Sequence, residues 1–260
     1  MVDFTQKPKY TTEDLIEIVR LLRSPNGCPW DKEQTHKSIR QDFIEEVYEA
    51  IEAIDTDDAA LLEEELGDVL LQVAMHAQMA AEENKFTYDD IVDGICKKMI
   101  IRHPHVFGDT VANDTKTVLK NWDAIKMQTK SQKTTGETMQ SVSKSLPSLM
   151  RSEKLLKKAS KHHLAFQEPE DAFEKAEKAF DTLKQMPNTE QLGALLLTIV
   201  NLAGSLHLDC EKSLYYTCDG FTERFMRLEE KAAQEGIDIQ NLNQKDLDLL
   251  WSDGNQTKEN

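Results

Sequence analysis

Two acidic, amphipathic segments flank one short turn, and this arrangement constrains the fold more than any other feature of the sequence. Residues 36–54 and 59–83 have helical periodicity. The cluster Asp55-Thr56-Asp57-Asp58 between them predicts a turn, with Asp57 or Asp58 as the cap of the second helix. Helices joined by so short a connection pack antiparallel. The sequence therefore predicts a helical hairpin.

The rest of the chain also has helical patterns. Only 10 glycines and 7 prolines occur in 260 residues, which favours helices, and no segment has a convincing strand pattern. Other helices are predicted after Thr12 and over about 88–102, 115–130, 148–163, 169–185, 189–207, 210–235 and 244–252. Ser24–Asp31 and His103–Asp109 are predicted to be irregular. We therefore expect an all-α fold.

The chain is predicted to have two halves. Residues 131–147 are rich in Ser, Thr, Lys and Gln and end at Pro147, which indicates a linker between a domain at 10–130 and another at 148–253. An offset of 126 residues aligns Glu64–Leu71 with Glu190–Leu197, and the same offset aligns Asp93-Gly94 with Asp219-Gly220. This shared offset favours a duplicated helical unit.

Charge and composition exclude several classes of function. The formal net charge is −16, whereas a nucleic-acid polymer needs clustered Lys and Arg. No segment approaches the roughly 20 apolar residues of a membrane span, and the N-terminus lacks a signal-peptide pattern. The four cysteines form no CxxC pair, so they are expected to be reduced thiols of a cytoplasmic protein.

Four carboxylates are predicted to lie at one level of the hairpin. Glu46 and Glu49 are three residues apart and share a helix face, as do Glu65 and Asp68. The midpoint of Glu49 and Glu65 is position 57, inside the predicted turn, so an antiparallel hairpin brings the two pairs together.

Such a cluster suits a divalent cation. Two unit charges about 5 Å apart repel by roughly 3 kcal/mol at an effective dielectric near 20. Oxygen-only ligands favour Mg²⁺ or Mn²⁺ over Zn²⁺. Glutamate-rich helices are also common as solvated faces. However, apolar neighbours on the same faces predict that these acids border a core, namely Ile44, Val47, Ile51, Leu66, Val69, Leu70 and Val73. Gly67 in mid-helix suggests close packing or the approach of a ligand.

With these features the sequence resembles the MazG-type nucleoside triphosphate pyrophosphohydrolases. The resemblance rests on Cys28–His36 (CPWDKEQTH), Glu45–Ile54 (EEVYEAIEAI), Glu64–Val73 (EELGDVLLQV), Arg102–Asp109 (RHPHVFGD) and the pair Trp122 and Lys126. It implies two tandem units, each like a four-helix bundle, in a protein that forms a homodimer. It also implies hydrolysis of NTPs or dNTPs to the monophosphate and pyrophosphate.

The family metal motif, E-x-x-E followed by E-x-x-D, maps onto Glu46, Glu49, Glu65 and Asp68. The resemblance implies that Mg²⁺, or Mn²⁺, bound there activates a water for attack on the α-phosphorus. Glu45 points about 100° away from Glu46, and it is either a base behind the metal ligands or an outward solvated acid.

Other residues are candidates for substrate binding. Lys98 and Arg102 share a helix face and could neutralise phosphate oxygens, although Ile101 stands where the family often has a second Arg. Trp30 or Trp122 could stack on the base, or each could be ordinary core. His103 and His105 could be a metal pair or could serve capping and packing, and His76 fits a core histidine.

The second half departs from the metal motif. Its counterparts of Glu65 and Asp68 are Gln191 and Ala194, although Glu174 and Glu177 could preserve the first pair. We expect this half to be catalytically inactive. Two alternatives remain for the whole chain. A di-iron carboxylate bundle would need Glu-x-x-His motifs, which Asp68 does not fit. A non-catalytic nucleotide-sensing or regulatory protein would bind without hydrolysis.

Overall fold

The computed structural model describes residues 2–112, 114–165, 168–239 and 242–253. These residues contain helices and no strand, which confirms the all-α prediction. The chain divides into two compact units, Met1–Lys126 and Met127–Asn260. Among the described residues, no single helix has the length and apolar character of a membrane span. The adjoining helices Thr189–Ser205 and Cys210–Glu235, bent by 104°, meet that criterion only when taken together.

The first unit is built around a long helical hairpin. Its helices are α1 (Thr12–Leu22), α2 (Pro29–Glu33), α3 (Arg40–Asp55), α4 (Ala59–Glu82), α5 (Tyr88–Arg102), α6 (Pro104–Phe107) and α7 (Thr115–Thr129), and the unit boundary falls within α7. Helix α4 packs along α3 on one side and against α1 on another. The core residues Val19, Ile39, Ala74, Met75 and Met79 lie between these helices and are at most 5% exposed.

The second unit contains a similar hairpin. Its helices are α8 (Thr135–Gln140), α9 (Ser148–Ala159), α10 (Pro169–Gln185), α11 (Thr189–Ser205), α12 (Cys210–Glu235) and α13 (Gln244–Asp253), with a 3₁₀ turn at Ser160–His162. Helix α10 packs along α11, and α9 packs against α11 and α12. The buried residues Ala172, Ala176 and Val200 lie on the α10–α11 hairpin.

Three short helices lie where the sequence pattern predicted irregular chain or a linker. Helices α2 and α6 each begin at a proline, whose fixed φ suits the first helical position. Helix α8 lies inside 131–147, where Thr134 and Glu137 form a capping box and Thr138 is buried. Helices of four to six residues are too short to show an apolar period, so the pattern did not reveal them.

Candidate metal and nucleotide site

The turn between α3 and α4 aligns the candidate ligands. Asp58 is the N-cap of α4, and its carboxylate accepts hydrogen bonds from the backbone of Ala60 (3.0 Å) and Leu61 (3.1 Å). Asp57 adopts the left-handed region with φ of 55°, which reverses the chain. The two helices therefore run antiparallel from a turn at the predicted position, and their acidic faces meet.

Three of the predicted ligands converge. Glu46, Glu49 and Glu65 each offer a carboxylate oxygen, and these oxygens lie within 4.8 Å of one another. Glu65 is 9% exposed, whereas Glu49 is exposed at the rim. Within the described ranges, this is the one group of three or more His, Cys, Asp or Glu side chains with metal-site spacing. The cluster therefore has a buried end at Glu65 and a solvent-accessible end at Glu49.

The electrostatics of this cluster are unfavourable without a cation. Burial, followed by the charges of Asp68 and Glu49, raises the pKa of Glu46 above its ordinary value. Burial, followed by the charges of Glu49 and Asp68, also raises the pKa of Glu65. Like charges in a poorly hydrated site disfavour ionisation. A divalent cation would reverse this by stabilising the ionised carboxylates, so the donor set fits a hard cation.

Asp68 and Gln72 extend the cluster along α4. Asp68 is half-buried and is not among the three converging carboxylates, but its charge acts on both Glu46 and Glu65. Gln72 is 8% exposed, and its hydrogen bond to Glu46 opposes the rise in the pKa of that carboxyl. The Oε1 atom of Gln72 is buried without a hydrogen-bond partner. Gln72 was not predicted, although its spacing of seven from Glu65 places it on the same helix face.

The acids do border buried residues of the hairpin, namely Ala50, Ala53 and Gln72, but most of the apolar neighbours on which that prediction rested are not buried in the single chain. Five of the seven apolar neighbours are substantially exposed: Ile44 (38%), Val47 (39%), Ile51 (44%), Leu66 (54%) and Leu70 (37%). Apolar periodicity identifies a face that avoids water, but it does not distinguish a core from an intermolecular surface. A Cβ atom added to Gly67 would likewise meet nothing within 4 Å, so no close packing within the chain requires this glycine.

Two of the predicted substrate-binding residues contact each other. The guanidinium carbon of Arg102 lies 5.4 Å from the ring centroid of Trp122, and Nε of Arg102 is buried without a hydrogen-bond partner. Lys98 is exposed on α5, and Trp30 is 61% exposed on α2. Glu45 is exposed, and it accepts a 3.4 Å hydrogen bond from Gln41 rather than joining the three converging glutamates.

The histidines take structural positions. His103 donates from Nδ1 to the backbone carbonyl of Met99 at 2.6 Å and packs edge-on against Trp122, with ring centroids 4.8 Å apart. This geometry favours the capping and packing interpretation. Nδ1 of His76 lies 2.7 Å from Nδ1 of His36, so one ring donates and the other accepts. Burial, followed by the charge of His36, lowers the pKa of His76.

The His36–His76 contact and one arginine attach the CPWDKEQTH segment to α4. The guanidinium group of Arg23 donates to the carbonyls of Asp31 and Gln34 and pairs with Glu82 at 2.8 Å. The Arg23 side chain is only 7% exposed. Charge-assisted hydrogen bonds of this kind are stronger than neutral ones. They stabilise the segment that contains α2.

The second hairpin lacks a comparable cluster. Gln191 is half-buried, whereas Ala194 and the two acids Glu174 and Glu177 are exposed. No group of three acidic, histidine or cysteine side chains with metal-site spacing occurs in the described part of the second unit. The turn centres on Pro187, between the end of α10 at Gln185 and the start of α11 at Thr189.

Comparisons with known proteins identify the family of the chain. A family model described as the MazG nucleotide pyrophosphohydrolase domain matches residues 34–107. The nucleoside triphosphate pyrophosphohydrolase/pyrophosphatase MazG of Thermotoga maritima is 39% identical over 92% of this chain and 93% of its own length. The nucleoside triphosphate pyrophosphohydrolase of Escherichia coli K12 is 35% identical over 91% of this chain and 94% of its own length. YabN of Bacillus subtilis is 43% identical over 93% of this chain, which spans about half (51%) of that longer protein.

Proposed function

The chain belongs to the MazG nucleotide pyrophosphohydrolase family, and we propose that its first unit carries the activity, at the carboxylates of Glu46, Glu49, Glu65 and Asp68. The protein is a nucleoside triphosphate pyrophosphohydrolase, an enzyme that splits an NTP into the monophosphate and pyrophosphate. The observation that supports the location is the convergence of three of these carboxylates within 4.8 Å.

The proposed cofactor is Mg²⁺, with Mn²⁺ as the alternative. The donor set contains carboxylate oxygens and no sulfur or imidazole nitrogen, which is the preference of a hard cation. When bound, the cation would polarise the phosphates and lower the pKa of a water molecule. The hydrogen bond with Gln72 favours the ionised form of Glu46, and burial of Glu65 limits its hydration.

Arg102 and Trp122 are proposed to bind the nucleotide. The Nε–H of Arg102 is buried without an acceptor, and a phosphate oxygen would satisfy it. Trp122 holds the guanidinium group by a cation–π contact and presents an aromatic surface for a base. The exposed residues Lys98 and Trp30 are proposed as further contacts to phosphate and base, and Glu45 as a base behind the ligands.

The second unit is proposed to be catalytically inactive. At the offset of 126 residues, Gln191 and Ala194 stand where the first unit has Glu65 and Asp68. A neutral amide oxygen binds Mg²⁺ far more weakly than a carboxylate does, and a methyl group does not bind it at all. We also place the protein in the cytoplasm, which is consistent with four cysteines that are free thiols.

Pyrophosphate release from a panel of NTPs and dNTPs tests the function. We expect release with Mg²⁺ or Mn²⁺, its loss in EDTA, and its recovery when Mg²⁺ is added in excess. Hydrolysis that persists in EDTA would contradict the proposed cofactor. Nucleotide binding without pyrophosphate release would favour a sensing protein instead. Purified protein that holds iron and requires it would favour the di-iron alternative.

A homodimer is proposed to cover the apolar face of α3 and α4. Ile44, Val47 and Ile51 lie at helical spacing on α3, and each is at least 38% exposed. Contiguous apolar surface of this kind marks an interaction site.

Sedimentation velocity tests this dimer. We expect the wild-type chain to sediment at about twice its 29.7 kDa mass. Ile51→Glu is expected to weaken the dimer by about 100-fold, because it places a charge in an apolar interface. Val111→Glu is the matched control, since Val111 is 76% exposed in a connecting segment. A monomeric wild-type protein, or an Ile51→Glu dimer of unchanged affinity, would refute the proposal.

A further inference from the structure

His36 and His76 form a direct hydrogen bond between the CPWDKEQTH segment and α4. Their Nδ1 atoms lie 2.7 Å apart, and the two rings are nearly parallel, with an interplanar angle of 2° and centroids 5.0 Å apart. Because a neutral imidazole has one N–H and one lone pair, one Nδ1 donates and the other accepts. The bond therefore joins two elements that are 40 residues apart in the chain through a single proton.

Hydrogen bonds within this segment connect His36 to Trp30. Nε2 of Gln34 donates to the carbonyl of Trp30 at 3.0 Å, and the hydroxyl of Ser38 donates to Oε1 of Gln34 at 2.7 Å. Thr35 and Ser38, on the two sides of His36, exchange hydrogen bonds from backbone to hydroxyl of 2.8 and 3.1 Å. The segment is therefore one hydrogen-bonded unit, and the attachment of His36 to α4 helps to set the position of Trp30.

The surroundings of the pair are apolar on one side and charged on the other. Phe43 of α3 packs against His76, with ring centroids 5.5 Å apart. On the other side, a cavity of about 430 Å³ lies beside His36. The charged residues on its wall are Arg23, Lys37, Glu82 and Glu83. The two acids already pair with Arg23 and Lys85, respectively. The hydrogen bond from Lys85, and more weakly the charge of His36, lowers the pKa of Glu83. Both histidine rings are half-buried, so protons from solvent can reach them.

Protonation of both rings removes this hydrogen bond. A pair with one added proton keeps the bond, because that proton can occupy an Nε2 atom. When both rings are cationic, no nitrogen is left to accept, and the two charges repel. Burial, followed by the charge of His36, lowers the pKa of His76, so the folded chain binds fewer protons here than the unfolded chain. The stability that the pair contributes is therefore complete above the ordinary histidine pKa of about 6.5 and is lost as the pH falls below it, through the lowered pKa.

We propose that the His36–His76 pair positions Trp30 for the nucleotide base and that protonation of both rings detaches this side of the segment from α4. The part played by Trp30 rests on the proposed function, whereas the detachment does not depend on catalysis. In acid, the segment would keep its bonds to Arg23, and Trp30 would lose its fixed position. The two histidines are positioning residues, since they act on the substrate through Trp30.

Amide hydrogen exchange over residues 28–36 of the full chain in EDTA, read by mass spectrometry, tests the detachment. At about pH 8 the wild type and His36→Asn should be equally protected, and at about pH 5 the wild type should exchange about tenfold faster than His36→Asn. The asparagine amide replaces Nδ1, and it can donate to neutral His76 or accept from protonated His76. His36→Gln is the matched control, because its amide lies one bond further out and should leave the segment unprotected at both pH values. Equal exchange of the wild type and His36→Asn at about pH 5 would overturn the detachment.

Steady-state pyrophosphate release with Mg²⁺ at about pH 8 tests the positioning. His36→Gln is expected to raise the KM for NTP about tenfold with kcat within about twofold, and His36→Asn should restore the KM. Adding His36→Gln to Trp30→Ala should raise the KM no further than Trp30→Ala does, because the histidine acts through the tryptophan. Additive effects, or an unchanged KM in Trp30→Ala, would overturn the positioning. A wild type without pyrophosphate release would instead refute the proposed function, and the exchange measurement would still decide the detachment.

Discussion

Glu49→Ala is expected to lower the rate of NTP hydrolysis by about 10³-fold, whereas Glu177→Ala should leave it within about twofold. The loss follows because Glu49 is one of the three converging carboxylates, and about 4 kcal/mol of charge stabilisation in the transition state corresponds to that factor. Glu177 is exposed on α10 and belongs to no such group among the described residues. Steady-state pyrophosphate release with saturating Mg²⁺ measures both.

The same pair of variants separates a ligand role from a structural role. The charge of Glu49 raises the pKa of both Glu46 and Glu65, so Glu49→Ala should leave the metal-free protein at least as stable as the wild type. Thermal unfolding in EDTA checks this, and added Mg²⁺ should then stabilise the wild type more than the variant. If Glu49→Ala retained hydrolysis while Glu177→Ala lost it, the active site would lie in the second unit.

Gly27→Ala is expected to destabilise the first unit by about 3 kcal/mol, as over-packing against a rigid backbone does. A Cβ atom at Gly27 would lie 2.6 Å from the carbonyl carbon of Leu22 and would clash with the carbonyl oxygens of Leu21 and Leu22. Backbone atoms cannot move aside as a flexible side chain can. The hydrogen bond from Cys28 N to Leu22 O, now 2.8 Å, would have to break or shift. Urea unfolding followed by circular dichroism gives the free energy.

Gly67→Ala is the matched control for this prediction. Gly67 lies in the middle of α4, and the space that an added methyl group would occupy is open, so alanine should stabilise the helix by about 1 kcal/mol. A wild-type unfolding midpoint for Gly27→Ala would contradict the clash. Loss of hydrolysis in a stabilised Gly67→Ala protein would instead indicate that a ligand or a second copy approaches this glycine.

Long helices were predictable from local signals. The sequence pattern predicted α5 over 88–102, and the structure has it at Tyr88–Arg102. Thr87 and Asp90 form a capping box at its start, so the signal lies within a few residues of the boundary. The α3–α4 turn was predictable for the same reason, since the Asp58 side chain caps α4 by accepting hydrogen bonds from the backbone of Ala60 and Leu61. A short helix such as α2 has neither a side-chain cap nor enough residues to show an apolar period.

Helical spacing also predicted the meeting of Glu46, Glu49 and Glu65, because residues three apart share a face and a turn of known position sets the level of the two helices. Contacts between distant segments were not predictable in this way. Gln72 at the carboxylates, the His36–His76 pair and the anchoring of Arg23 on Glu82 each depend on how whole helices pack.

The sequence by itself determined the long helices, the hairpin and the meeting of three of the four carboxylates, since each depends on residues close together in the chain or on the turn between them. Only the tertiary structure decided which faces are buried. Ile44, Val47 and Ile51 have the periodicity of a core, yet they are exposed because no other described helix of the first unit covers that side of α3. An apolar pattern indicates that a face avoids water, but only the three-dimensional packing shows which element covers that face.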